Sequence, residues 1–225
     1  MSWDSWIRNV EVEPSLYAAD FSRLGEQIET LLGAGTRIFH FDIGDGHFVE
    51  PITMGPIVLQ SIAPLVHRAG GVFDCHLMIE HPGRHFGALK NAGADSVTFH
   101  LEAVADPPAV AENAREHGLR VGLAIKPETP VEDAIAAVKE FDLVLCMSID
   151  PGYSGQEFMP EALDRLRALR DSLPEGVHLQ VDGGITAENI RSVHDAGADL
   201  IVSATAIFGT EDLSLAYGRL VQQLA

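Results

Sequence analysis

Residues 143–184, LVLCMSIDPGYSGQEFMPEALDRLRALRDSLPEGVHLQVDGG, carry the pattern that decides the fold. A strand-sized apolar run occupies residues 143–149. A Gly-containing turn follows it, then an amphipathic segment over 162–172 and a second apolar run over 178–182. Short apolar runs separated by a segment with helical periodicity predict two buried parallel strands joined by a helix.

The same unit recurs along the whole chain. Strand-sized runs occupy residues 10–16, 37–43, 71–78, 96–101, 120–125, 143–149, 178–182 and 200–203. Helical segments follow them, most clearly over 21–32, 131–139, 162–172, 187–196 and 213–224. Eight strands alternating with eight helices predict one α/β catalytic domain over residues 1–225, a single (β/α)8 TIM barrel. An open doubly wound sheet is the alternative fold.

The composition restricts the class of protein. The chain is 46% hydrophobic and 21% charged, as expected of a globular protein with a sizeable core. A net charge of −18 without Lys or Arg clusters makes nucleic acid a poor partner. We expect no membrane span, no signal peptide and a cytoplasmic protein. Cys75 and Cys146 lie in apolar runs and are expected to be reduced core thiols.

Polar residues at the predicted strand ends form a candidate metal site. In barrels of this kind the active site lies at the carboxyl ends of the strands. His40 and Asp42 are two positions apart, so both face the interior if either does, and His76 and Asp182 would reach the same space. Two imidazoles and two carboxylates suit zinc, manganese or iron(II). Taken alone, each histidine could instead be a hydrogen-bonded core residue.

Gly-rich or small-residue stretches after strands 6, 7 and 8, which also include Tyr153, form a candidate phosphate site. These residues are Gly152, Tyr153, Ser154 and Gly155, then Gly183 and Gly184, then Ala204 and Thr205. Small side chains let backbone N–H groups approach an anion closely, which needs no Lys or Arg. The alternative is that the glycines only form tight turns.

A metal beside a phosphate site predicts proton transfer on a small phosphorylated substrate. A metal that polarises a ketone makes the proton on the adjacent carbon more acidic. Asp42 and Asp182, on opposite sides of the barrel, could remove that proton and return one to the other face. Such a reaction inverts the stereocentre.

Several motifs occur in order along nearly the whole chain: PSL (14–16), HFD (40–42), DGHF (45–48), DCHLM (74–78), PETP (127–130), MSIDPG (147–152) and VDGGI (181–185). In these motifs the chain resembles the ribulose-phosphate 3-epimerase family. The resemblance implies an isomerase of the pentose phosphate pathway. It would invert C3 between D-ribulose 5-phosphate and D-xylulose 5-phosphate through an enediolate.

The resemblance also implies roles for individual residues. One divalent metal ion would be held by His40, Asp42, His76 and Asp182, with Asp42 and Asp182 as the acid/base pair. The implied substrate-binding residues are Ser15, His76, Met78, Met147, Gly152, Tyr153, Ser154, Gly155, Gly183, Gly184, Ala204 and Thr205. Members of the family are often homo-oligomers, so we expect one here.

The sequence departs from the family pattern around the predicted pocket. Gly44 stands where the family usually has a third pocket Met, and Lys126 replaces a usual Asn. The other departures are Tyr17, Glu50-Pro51, Ser154 and Ala204-Thr205. A 3-epimerase of another ketose phosphate, such as a hexulose 6-phosphate, is therefore the alternative, with extra room at Gly44 and a charge at Lys126.

Two other classes of protein fit the sequence less well. Barrel decarboxylases of this phosphate-binding type need an Asp-x-Lys-x-x-Asp arrangement, and the corresponding residues 40–45 (HFDIGD) contain no Lys. A non-catalytic scaffold would have little use for two buried carboxylates, which are costly without a function.

Overall fold

The structure, a computed structural model, describes residues 3–224 and contains a barrel of eight parallel strands. The strands are β1 (Glu11–Pro14), β2 (Ile38–Gly44), β3 (Val72–Met78), β4 (Ser96–His100), β5 (Arg120–Ile125), β6 (Leu143–Met147), β7 (His178–Asp182) and β8 (Leu200–Ser203). They pair in the order β1-β8-β7-β6-β5-β4-β3-β2. A parallel bridge between Ser15 and His40 joins the two outermost strands. The predicted TIM barrel is confirmed, and the open sheet is excluded.

Helices surround the barrel. Within the described part of the chain they are α1 (Trp3–Trp6), α2 (Leu24–Gly33), α3 (Pro56–Arg68), α4 (Phe86–Ala92), α5 (Pro107–Glu116), α6 (Val131–Ala137), α7 (Ala162–Ser172), α8 (Ile190–Asp195), α9 (Thr205–Phe208) and α10 (Leu213–Leu224). The eight predicted barrel helices correspond to α2 to α8 and α10, and α1 and α9 are additional. α1 precedes the first strand, and the short α9 lies between β8 and α10, so neither belongs to the one-helix-per-strand repeat.

Strand β2 shows how the sequence divides the two sides of the sheet. Phe39, Phe41 and Ile43 belong to the apolar core between the strands and the surrounding helices. Their neighbours His40 and Asp42 point into the barrel, because side chains alternate along a strand. All seven residues of β2 are buried. The strand has an apolar face towards the helices and a polar face towards the barrel interior.

Helix α1 closes the amino-terminal end of the barrel. Trp3 and Trp6 pack edge to face, with ring centroids 4.9 Å apart. They belong to one buried cluster with the residues that begin four of the strands: Ile38, Val72, Leu143 and Leu200. Large aromatic side chains thus fill the end of the barrel opposite the strand carboxyl ends. The sequence analysis assigned no element here, because four residues are too few to show a helical period.

Three strands end earlier than predicted, and β4 does so by one residue, at His100. β1 stops at Pro14, and a 3-10 turn over Leu16–Ala18 follows, with the Ser15 hydroxyl accepting the N–H of Tyr17. β6 stops at Met147 rather than at residue 149. Cys75 and Cys146 are buried and unbridged, as expected. Among the described residues, none of the helices has the length and apolar character that a membrane crossing requires.

Candidate active site

A buried cluster of four side chains lies at the carboxyl end of the barrel. His40 and Asp42 come from β2, His76 from β3 and Asp182 from the end of β7. The register of β2 and β3 sets Asp42 directly beside His76. One donor atom from each of the four residues lies within 4.8 Å of the others. The structure therefore brings all four predicted ligands together.

Asp42 stands at the centre of the cluster. Its Oδ1 lies 3.0 Å from His76 Nδ1 and 3.3 Å from His40 Nε2. Its Oδ2 accepts a 2.6 Å hydrogen bond from the Ser15 hydroxyl. Asp182 Oδ2 lies 3.9 Å from His76 Nδ1. Thus Nε2 of His40 and Nδ1 of His76 face the same two carboxylates.

The donor set fits a divalent metal ion. Both ring nitrogens of His40 are buried without a hydrogen bond of good geometry, although buried polar atoms are normally satisfied. Two imidazole nitrogens and two carboxylate oxygens at this separation match the ligands of zinc sites. Manganese and iron(II) accept the same ligand types. The cluster can hold one divalent ion, and its chemistry alone does not select which.

The two carboxylates have opposite electrostatic environments. Burial opposes ionisation of Asp42, but the His40 and His76 rings beside it hold its pKa well below the ordinary range. Burial, and then the charge of Asp42, raise the pKa of Asp182 to about 6. Two carboxyl groups whose pKa values are pushed apart can serve as one base and one acid.

A second polar layer lies beneath the cluster, deeper in the barrel. His40 Nδ1 lies 3.2 Å from Asp74 Oδ2 and 3.6 Å from Glu13 Oε2. The side-chain amide of Gln180 donates to both carboxylates, at 2.9 Å and 2.7 Å. This layer was not predicted from the sequence, although strand alternation could have revealed it. Each member precedes an inward-facing site residue by two positions, as Asp74 precedes His76.

A cleft opens above the cluster. Of the predicted substrate-binding residues, its walls contain Ser15, Met78, Met147, Gly152, Tyr153, Ser154, Gly155, Gly183, Gly184, Ala204 and Thr205. Asp42 and Asp182 form part of the floor. His76 is the exception, because it is fully buried and lies below the cleft rather than in its wall. Tyr17 also lines the cleft, so its departure from the family pattern bears on the substrate.

The turns after β6 and β7 need glycine for structural reasons. Gly183 and Gly184 have φ values of 125° and 63°. A Cβ on Gly184 would collide with the backbone of Phe158, and one on Gly183 with Ile149. Backbone therefore approaches backbone closely here, as the tight-turn alternative requires. Within residues 3–224, no Lys or Arg side chain lines the cleft, so an anion there would be bound by backbone N–H groups and hydroxyls.

Two departures from the family pattern lie outside the cleft. A Cβ on Gly44 would stand 2.8 Å from the Pro51 carbonyl oxygen and 3.0 Å from the Val49 side chain. The loop after β2 thus fills the space that Gly44 was expected to open for a larger substrate, and that expectation was wrong. Lys126 Nζ lies 4.3 Å from the centroid of the Phe48 ring, and Lys126 does not line the cleft.

A (β/α)8 barrel with two carboxylates and two histidines at the carboxyl end of its strands defines an enzyme of the α/β-barrel class with a cluster that can hold a divalent metal ion. Comparison with known proteins then specifies the family. The model of the ribulose-phosphate 3 epimerase family matches residues 11–208. The chain belongs to the ribulose-phosphate 3-epimerase family, and it is an isomerase of the epimerase type.

Curated relatives agree with this assignment. The chain is 39% identical over 198 residues to ribulose-phosphate 3-epimerase of Schizosaccharomyces pombe, covering 88% of this chain and 86% of the relative. It is 38% identical over 215 residues to the enzyme of the same name from Mycobacterium tuberculosis, covering 94% and 92%.

Solved structures share the fold at low sequence identity. The 3-hexulose-6-phosphate synthase from Salmonella typhimurium superimposes with a TM-score of 0.74 at 15% identity, covering 96% of this chain and 98% of that one. The 3-keto-L-gulonate-6-phosphate decarboxylase from Vibrio cholerae gives 0.72 at 16% identity, with coverage of 96% and 98%. At such identities these likenesses bear on the fold alone.

Proposed function

We propose that the protein interconverts D-ribulose 5-phosphate and D-xylulose 5-phosphate by inverting carbon 3. The observation that carries this proposal is the pair Asp42 and Asp182, which line one cleft from β2 and β7 and have opposite pKa shifts. Membership of the ribulose-phosphate 3-epimerase family supports the choice of substrate.

The two carboxylates carry the proton in this proposal. Asp42, held ionised, removes the proton from C3 on one face of the substrate, and protonated Asp182 returns one from the other face. A forward turnover leaves Asp42 protonated and Asp182 ionised, and exchange of protons with solvent restores the starting state. In the reverse direction the two residues exchange roles, and no redox cofactor is needed. Ser15 holds the Asp42 carboxylate through its 2.6 Å hydrogen bond.

His40, Asp42, His76 and Asp182 would hold one divalent ion, which would polarise the substrate ketone and acidify the C3 proton. Zinc, manganese and iron(II) remain the candidates. Met78 and Met147 line the cleft with thioethers, which carry no acidic proton that could quench an enediolate. Because His76 lies below the cleft, we assign it to the metal and expect it to reach the substrate only through that site.

The phosphate would bind at the opposite end of the cleft. Residues 152–155, 183–184 and 204–205 line the cleft, and all of them except Tyr153 have small side chains. The loop after β6 is the proposed lid. Its Tyr153 hydroxyl donates a 2.8 Å hydrogen bond to Glu50 of the loop after β2, which supports a closed position over the cleft. The cytoplasmic location and the homo-oligomer expected from the sequence stay predictions.

A coupled assay in deuterated water tests the proposal. The purified protein is given D-ribulose 5-phosphate or a hexulose 6-phosphate, and both turnover and deuterium at C3 of the product are measured. We expect turnover of the pentose with deuterium incorporated at C3. Preference for the hexulose would select the alternative substrate. Turnover without any exchange of the C3 proton would contradict the proton-transfer mechanism.

A further inference from the structure

A chain of hydrogen-bonded side chains runs from the metal-ligand cluster through His100, at the end of β4, to Glu102. His76 Nε2, the ring nitrogen that faces away from the cluster, lies 2.9 Å from Nε2 of His100. His100 Nδ1 lies 3.2 Å from Glu102 Oε2. Both imidazoles are fully buried. Because no water reaches these two rings, their nitrogen atoms must be satisfied by neighbouring side chains.

Glu102 is the last residue of this chain of hydrogen bonds, and its carboxylate accepts hydrogen bonds. Its Oε1 accepts the backbone N–H of Lys126 at 2.9 Å and the hydroxyl of Thr129. Burial opposes ionisation of Glu102, but hydrogen bonds from His100, Thr129 and the Lys126 backbone lower its pKa to about 2. An ionised carboxylate has no proton to donate, so the proton of this contact belongs to His100 Nδ1.

The proton on His100 Nδ1 determines the donor and the acceptor in the hydrogen bond between His100 and His76. A neutral imidazole has one N–H and one lone pair, so protonation of His100 at Nδ1 leaves the lone pair at Nε2. His76 Nε2 must then donate to it. The remaining nitrogen of His76, Nδ1, keeps its lone pair and faces Asp42 and Asp182 at 3.0 Å and 3.9 Å.

We propose that His100 and Glu102 are positioning residues that fix the tautomer of His76, so that its Nδ1 is free to bind the metal. The inference rests on the metal site of the proposed function. A metal ligand that donates its second N–H to a fixed partner is held in the right orientation, and loss of such a partner typically lowers metal affinity about 10- to 100-fold.

Neighbouring side chains hold Glu102 and His100 in place. Arg165 of α7 donates to the carbonyl oxygens of Lys126 and Thr129, at 2.9 Å and 2.7 Å, and so fixes both groups that bind Glu102. The Phe48 ring packs on His100 with centroids 4.8 Å apart and shields it from solvent. This arrangement gives Lys126 and Phe48 a structural role outside the cleft.

Nitrogen-15 NMR of the zinc-loaded wild-type protein tests the tautomers directly. We expect the proton of His76 on Nε2 and the proton of His100 on Nδ1, read from two-bond 1H–15N couplings of labelled imidazoles. A proton on Nε2 of His100 would overturn the inference, because His76 would then have to carry its own proton on Nδ1. This measurement needs no variant, so it does not depend on the folding of one.

Zinc affinity of the apoproteins, measured by competition with a chelator, tests the positioning role. His100→Phe removes the acceptor and is expected to weaken binding about 10- to 100-fold. His100→Gln supplies an amide oxygen and should restore most of the affinity. The matched control is His67→Phe, which removes a 2.9 Å His–Asp contact with Asp95 on the outer surface and should leave affinity unchanged.

These outcomes separate the two proposals. Equal zinc affinity for His100→Phe, His100→Gln and wild type would overturn the positioning role, even if the enzyme epimerises pentose phosphates. Predicted tautomers and affinities in a protein without epimerase activity would contradict the proposed function alone.

Discussion

Asp42 and Asp182 have the same functional group but different tasks, and their neighbours account for the difference. Asp42 lies against two imidazoles and the Ser15 hydroxyl, which favour its ionised form. Asp182 lies at the more exposed edge of the cluster, yet burial and then the charge of Asp42 favour its protonated form. This difference keeps Asp42 ionised and makes Asp182 the more readily protonated of the two carboxylates.

Asp182→Asn tests this division at the scale of one residue. The amide keeps the shape of the side chain but cannot exchange a proton, so we expect kcat to fall by about 10²- to 10⁴-fold. Because Asp182 is also a proposed metal ligand, we expect weaker metal binding as well, so kcat is measured with the metal at saturation. Glu188→Gln, an exposed substitution on the loop after the same strand, is the control and should retain activity. Turnover near the wild-type value in Asp182→Asn would contradict the acid/base assignment.

Helix α1 is a structural element that contributes to stability without reaching the active site. Trp3 is 2% exposed and packs against the first residues of several strands. Truncating a buried aromatic side chain costs about 3–5 kcal/mol, because a cavity remains where the ring was. We therefore expect Trp3→Ala to lower the free energy of unfolding by about 3 kcal/mol, with KM and metal affinity unchanged.

Urea denaturation of Trp3→Ala beside Leu215→Ala checks this prediction. Leu215 is 52% exposed on α10, so its truncation should change stability by no more than about 0.5 kcal/mol. Equal stabilities of the two variants would show that α1 does not close the barrel in solution.

Periodicity predicted the repeating elements and missed those outside the repeat. α7, α10, β5, β7 and β8 have the bounds expected from the sequence. α1 could not be predicted, because its four residues are stabilised by tertiary contacts rather than by their own pattern. Strand β1 was predicted too long, since the apolar Leu16 that extended the pattern starts a 3-10 turn instead.

The candidate site, like the fold, was predicted only in part. Residues that end strands could be read from the pattern, so the four predicted ligands were chosen together. The layer of Glu13, Asp74 and Gln180 was missed, because a buried polar residue within an apolar strand gives a weak signal. The crowding at Gly44 was also missed, since it depends on how the 49–53 loop folds back.

At the scale of the whole molecule, the metal should stabilise the fold. Asp42, Asp182, Asp74 and Glu13 lie within one barrel of a protein whose net charge is −18. A divalent ion at 100 times its Kd adds about 2.7 kcal/mol to the free energy of unfolding. For a domain of this size that corresponds to a rise of about 5–10 °C in Tm.

Differential scanning calorimetry of chelator-stripped and zinc-loaded protein measures this effect. Asp42→Asn, which lacks one proposed ligand, should show a much smaller rise. An equal rise in the variant would mean that the ion binds elsewhere on the acidic surface.

The position of α1 also has a consequence for how the barrel forms. Its partners begin β2, β3, β6 and β8, so its docking surface exists only when strands from both ends of the chain have come together. Trp3 and Trp6 are the two tryptophans of the sequence. Intrinsic tryptophan fluorescence therefore reports on closure of the barrel and is insensitive to events in the cleft at the other end, which makes it a built-in probe of the final step of folding.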